Sequence, residues 1–379
     1  MSEDKVLLTP DDIKKRKEEK TKEENIKPRI ANYGGMAKVE YESCGRYNIP
    51  GLLYWENYNT EHVSDLSLTG EEELLPAVVA ILNELKHGDE DNKVDILDMT
   101  NEEFIETLIA IKANYDETGE PHKHRWMCKC QKDIPDDEKE LSVSNIDLST
   151  LQYTNIQEAD EKLREYYKTQ LEALSKEDYS EYLKSKYGQN IQKSIKEEVE
   201  TISIKDPIKL VNPANGDVYE YAFPRMRHTI KGYQKAIDEF RWPIKKVEQR
   251  KARNEEEKAQ RQKEMDDLLK QRAKQVAKYI RAFSLMKFNG KELSDEQKIE
   301  VYRKMPINLL YDLTNFQELM QFGLTDEREL TCNLCKETDR RLLRRNFSPF
   351  EFLPFPDDSE DVSTSHKSSK PPRLNIFIG

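Results

Sequence analysis

The chain has 379 residues and a net charge of −12, and 35% of it is Asp, Glu, Lys or Arg, where about 25% is usual. This length allows two or three domains with a real core, but an apolar share of 36% places much of the polar surplus on protruding helices and tails. The acidic balance excludes attraction of the whole chain to nucleic acid or anionic membrane, and the longest apolar run, Leu74 to Leu82, is far short of the ~20 residues that span a bilayer.

Met1-Ser2-Glu3-Asp4-Lys5 lacks the apolar centre of a signal peptide, so a cytosolic protein is expected. Residues 1–30 alternate basic and acidic side chains and read as a charged tail. A globular half follows over 31–154. In it Leu52-Leu53-Tyr54-Trp55 reads as a short buried strand or anchor, and Leu74 to Leu85 as a buried helix behind acidic Glu71, Glu72 and Glu73. Thr100-Asn101-Glu102-Glu103 is a capping box that opens another helix.

Residues 155–200 predict a polar helical insertion, with Leu163, Tyr166, Tyr167, Leu171 and Leu174 on one stripe. Over 201–243 the strongest β signal appears. Ile208 to Val211 and Val218 to Phe223 flank a loop with Asn215-Gly216-Asp217, which predicts a hairpin.

From Ile244 to Phe288 there is no glycine or proline, and the composition predicts one long charged helix, about 68 Å if continuous. Lys245 to Arg281 holds 13 basic and seven acidic residues, so this arm is locally basic. Residues 289–355 predict two helices parted near Met305-Pro306 and stopped by Gly323, then a clamp of four phenylalanines between Asn346 and Phe355. The tail 356–379 is polar with an apolar end, Leu374-Asn375-Ile376-Phe377-Ile378-Gly379. The fold class expected is α+β, predominantly helical, with small β-hairpin elements, a cysteine-pair junction of zinc-ribbon type and a long protruding charged helix.

The chemistry lies in the five cysteines. Cys128-Lys129-Cys130 and Cys332-Asn333-Leu334-Cys335 are two pairs with Cys44 left over, the composition of a four-thiolate zinc site. Closing a loop of about 200 residues costs about 4.7 kcal/mol, whereas structural zinc returns roughly 10–16 kcal/mol, so the separation does not exclude the site. His122 and His124 stand just before the first pair and can replace one thiolate. The alternative is a set of unmetallated thiols. Cys44 reads as a plain buried thiol. Glycine-rich phosphate loops, GxSxG and HExxH are all missing, and a chain without catalytic activity is expected.

The order of motifs resembles a known family. Pro50-Gly51-Leu52-Leu53-Tyr54 precedes the stretch Val63 to Glu73. A cysteine pair followed by Ile146-Asp147-Leu148 comes next, then a hairpin ending in Phe223-Pro224-Arg225, then a helix into Phe288-Asn289-Gly290-Lys291. Gly323-Leu324, the second cysteine pair and a closing aromatic segment complete the series. This order is similar to that of the baseplate-hub assembly family of T-even-like contractile-tailed bacteriophages, over about residues 45–150 and 205–355.

The resemblance implies a virion protein of the tail baseplate, assembled in the host cytoplasm with hub, wedge or tape-measure proteins, in multiple copies and without catalysis. Two other readings fit the same residues. One is a zinc-ribbon protein that binds nucleic acid through the basic arm; the other is a tail-assembly chaperone that is absent from the finished virion.

Overall fold

Eight helices and five small antiparallel sheets make up the described residues of this computed structural model, an α+β fold with helix in excess of strand. Residues 32–353 are described, apart from 34–35, 47–48, 70, 88–93, 116–120, 133, 135–138, 175–198, 201–207, 213, 320–321 and 344–351. The charged tail 1–30, most of the insertion beyond residue 174 and the tail 356–379 with its apolar end lie outside the described residues.

The first sheet has the order β1 (Asn32–Tyr33), β2 (Met36–Glu40), β3 (Leu52–Trp55) and β4 (Lys86–His87). In β2 and β3 alternate residues are buried, so Ala37, Val39, Leu53 and Trp55 face inward. Three helices accompany this sheet: α1 (Thr60–Leu68), α2 (Glu71–Leu85) and α3 (Asn101–Tyr115). The capping box forms as read: Glu103 N–H donates to Thr100 Oγ1 at 3.2 Å and Thr100 N–H to Glu103 Oε2 at 2.8 Å. Helix α3 lies against the sheet, where Thr107 and Tyr41 share a buried hydrogen bond of 2.8 Å and Trp55 Nε1 donates to Tyr41 at 3.1 Å.

Next come the hairpin β5 (His122–Trp126) and β6 (Ser142–Ile146), the short strand β7 (Tyr153–Thr154) and helix α4 (Ile156–Leu174). Ile156, Ala159 and Leu163 of α4 are buried. The predicted hairpin is β8 (Ile208–Val211) with β9 (Val218–Tyr221), in register from Ile208 opposite Tyr221 to Val211 opposite Val218. Gly216 carries φ +76° in its loop, a conformation that costs glycine nothing.

The expected single helix over 244–288 is instead two helices and a strand. Helix α5 (Met226–Glu248) ends at Gln249, and α6 (Glu255–Phe283) begins behind Asn254, whose side chain accepts from Glu257 N–H at 2.8 Å. They form an antiparallel hairpin. Gly232 lies so close to Ile280 that an added Cβ would sit 2.8 Å from its side chain and 2.9 Å from its backbone nitrogen. A continuous helix would stack Lys245, Lys246, Arg250, Lys251 and Arg253 within three turns. The turn avoids this: it buries Val247 and brings Arg250 to Glu264 at 2.5 Å.

After α6 the chain enters β10 (Leu285–Phe288) and turns through Asn289 (φ +50°) and Gly290 (φ +74°) into β11 (Lys291–Glu292). The second sheet has the order β11-β10-β9-β8. Helices α7 (Asp295–Arg303) and α8 (Ile307–Leu319) follow on either side of Met305-Pro306. Gly323, expected to stop a helix, opens strand β12 (Gly323–Leu324), which pairs with β7. Its φ is +82°, and a Cβ there would meet Glu106 Oε1 at 2.9 Å, so glycine is required by close approach as well as by conformation. The hairpin β13 (Glu327–Thr331) and β14 (Thr338–Leu342) follows.

Two cores result. The larger unites residues 37–151 with buried positions of α5 and α6 and with Leu324, Leu330, Cys332, Leu343, Phe352 and Leu353. The smaller joins α4, the second sheet, Leu309 and Leu313 of α8, and Phe322. Of the aromatic clamp, Phe352 and Leu353 are described, and both are buried; Phe347, Phe350 and Phe355 lie outside the described residues. No helix among the described residues is long and apolar enough to cross a membrane.

Candidate metal centre

Each cysteine pair sits at the end of a hairpin. Cys128 and Cys130 follow β5, with Cys128 entering the short 3-10 turn Lys129–Gln131. Cys332 and Cys335 occupy the loop between β13 and β14, where Lys336 N–H donates to the Cys332 carbonyl at 3.0 Å and Cys332 N–H to the Glu337 carbonyl at 2.9 Å. Lys336 takes φ +65° to close this loop. Leu334 N–H points at Cys332 Sγ at 3.4 Å, and the Gln131 amide at Cys130 Sγ at 3.5 Å.

The four sulfurs lie within 4.8 Å of one another. Across the hairpins, Cys128 Sγ is 3.7 Å from Cys335 Sγ and Cys130 Sγ is 3.9 Å from Cys332 Sγ. A tetrahedral ion with bonds of about 2.3 Å separates its sulfurs by about 3.8 Å, so the set fits one metal ion. These distances are far from the ~2.05 Å of a disulfide.

The electrostatics agree with a cation-seeking set. Burial alone would raise the Cys332 thiol, but the N–H groups of Cys335 and Leu334, with the Ser142 hydroxyl and Cys128, bring it down to about 6. The Glu337 N–H works to lower Cys335, yet burial and the three neighbouring sulfurs push it up to about 12. Cys128 is also raised, because burial and the thiols of Cys130 and Cys332 outweigh the Cys130 N–H. Proton loss at one sulfur thus opposes loss at the next, and a divalent cation would relieve that conflict.

Neither His122 nor His124 belongs to this group of ligand atoms. Both point inward from β5, and His122 stacks on Phe352 with ring centroids 5.1 Å apart. Cys44 departs from expectation: it is exposed. It sits at φ +51° in a tight turn whose N–H bonds back to the Tyr41 carbonyl, and this carries the thiol to the surface, where Asn155 Nδ2 lies 3.0 Å away.

The contacts that align the two hairpins were not legible beforehand. Ser142 Oγ donates to Asn333 Oδ1 at 2.6 Å, and Asn333 N–H returns a bond to Ser142 Oγ at 3.0 Å. Lys129 pairs with Asp339 at 3.0 Å, and the Arg341 guanidinium lies 4.5 Å over the Trp126 ring while donating to the Met127 carbonyl at 2.8 Å. The one sequence signal available was the place of Asn333 inside the Cys-x-x-Cys loop. Comparison with protein-family models, with curated proteins and with solved structures finds no match to this chain.

Proposed function

We propose that this chain is a non-catalytic structural protein of a contractile-tail baseplate, in which a four-cysteine zinc site ties together hairpins distant in sequence. The observation that carries the structural role is the closed sulfur set of Cys128, Cys130, Cys332 and Cys335, all within 4.8 Å. Four protein ligands leave no open position on the ion, so zinc here would brace the fold and would not activate water. Zinc is favoured over other divalent ions because soft thiolates in a tetrahedral set suit it.

The baseplate assignment rests on the order of motifs from Pro50 to the second cysteine pair. It is supported by the basic arm on an otherwise acidic chain, which suits docking between proteins. Metal analysis of the purified chain should give about one zinc per chain, held through gel filtration without added metal. Mass spectrometry of mature virions should find the chain at a fixed ratio to hub and wedge proteins. Absence from virions but presence in infected-cell tail intermediates would replace the resident role with that of a chaperone.

A further inference from the structure

Two exposed helix faces on this chain complement each other, and the structure brings neither against the other. On α5, Trp242 is 71% exposed, and Lys245 and Lys246 stand three and four residues further along, exposed on the same face. On α1, Leu68 is 83% exposed, and Asp65 and Glu61 stand three and seven residues before it, also exposed. None of these four charges has an ion-pair partner among the described residues. Trp242 and Leu68 are the two most exposed large apolar side chains described. The acidic residues before Trp242 are already engaged, Asp238 by Arg241 at 3.1 Å and Glu239 by the Tyr279 hydroxyl at 2.6 Å, so the unengaged charge beside it is basic and that before Leu68 is acidic.

We infer that these faces are the two halves of a contact between copies of this chain, with α5 of one molecule lying antiparallel on α1 of the next. Leu68 would then cover Trp242. Moving away from that pair, Asp65 comes level with Lys245 and Lys246, because three residues span ~4.5 Å along either helix. Glu61 falls a further turn out, beside Gln249. Antiparallel placement also opposes the two helix dipoles.

Charge selects this occupant over a polyanion. Lys245 to Arg281 carries six more basic than acidic residues, which leaves the remainder of the chain at −18. That remainder repels nucleic acid and attracts the arm of a second molecule. Because the two faces are different patches, the contact repeats from molecule to molecule unless a two-fold axis makes both at once. The inference depends neither on bound metal nor on residence in a virion.

Sedimentation velocity of the full chain tests it, from about 1 to 100 μM at about 50 and 500 mM salt. The expected result is reversible self-association that weakens at high salt. Trp242→Ala, the pair Lys245→Glu with Lys246→Glu, and the pair Glu61→Lys with Asp65→Lys should each weaken it at least about tenfold. Mixing the two charge-reversed proteins should restore association that neither shows alone. All these positions are exposed, so folding should be unaffected. Association should also shield Trp242 from acrylamide quenching, while Trp55 and Trp126, both buried, are shielded throughout. A chain that stays monomeric over this range overturns the inference, even if the same lysines retain a DNA duplex. Association that survives both charge reversals overturns it as well.

Discussion

Four thiols within 4.8 Å of one another cannot all ionise without a cation among them, which makes single cysteine substitutions informative. Cys332→Ser removes the most acidic of the set, and the purified protein should then fail to retain the proposed zinc on gel filtration and unfold several degrees lower in thermal scans. Cys44→Ser should change neither, since Cys44 stands apart from the cluster.

A second residue sets a pH dependence of its own. His228 is held at about 3, first by burial and then by Lys298, Arg225, Arg227 and Lys231 around it. Its Nδ1 accepts the Arg225 N–H at 3.2 Å at the start of α5, which requires the neutral ring. The folded pKa lies below the unfolded 6.5, so the unfolded chain binds the proton more readily. Stability from this group is fully present above pH 6.5 and falls towards pH 3, at up to about 1.4 kcal/mol per pH unit. His228→Gln keeps a hydrogen-bond acceptor without the titration, and denaturant unfolding from pH 7 to 4.5 should show a shallower loss than the parent chain.

Among the elements, the α5–α6 hairpin depends on a missing side chain. With Ile280 backbone within 3 Å of a Cβ at position 232, Gly232→Ala must push the helices apart. It should cost roughly 1–3 kcal/mol by urea unfolding, although alanine is the better helix former.

Sequence legibility varied at this scale for physical reasons. The Thr100 capping box, the Gly216 hairpin and the two cysteine pairs were readable because each is a local device with its chemistry in a few adjacent residues. The break at 249–254 was not, because Gln-Arg-Lys-Ala-Arg-Asn contains good helix formers and no glycine or proline. Asn254 before Glu255, Glu256 and Glu257 was the one local sign of a new helix start; the rest of the break lies in tertiary contacts, Val247 in the interior and Arg250 on Glu264. Leu285 to Phe288 reads as part of the same helix for a similar reason, since its strand is made by pairing with β9 and β11. Asn289-Gly290 was the available clue to that turn.

For the whole molecule, the cysteine cluster and the β7–β12 pairing join residues before 155 to residues after 322. Thr325 N–H donates to the Gln152 carbonyl at 3.0 Å, and Arg328 reaches the Thr150 carbonyl at 2.7 Å. Chelation should therefore act on both ends of the chain together. In hydrogen exchange, removal of the proposed zinc should speed exchange in 122–146 and 327–342 in parallel, while β8 and β9, which belong to the smaller core, change little. Faster exchange at one hairpin alone would show that each stands independently and that no shared ion braces them.

The same joining of early and late segments bears on how the protein is made. The larger core takes in residues 37–151 and closes over them with residues up to Leu353, so its last wall is synthesised roughly 240–310 residues after α3, β3 and β2. At about 5–20 residues per second, that is a delay of about 12–60 s in which the inner faces of β2, β3 and α3 lack part of their cover on the ribosome. Contacts of such long range are also slow to form once the chain is complete. Its synthesis therefore has a window of vulnerability to aggregation that ends only when Phe352 and Leu353 have emerged.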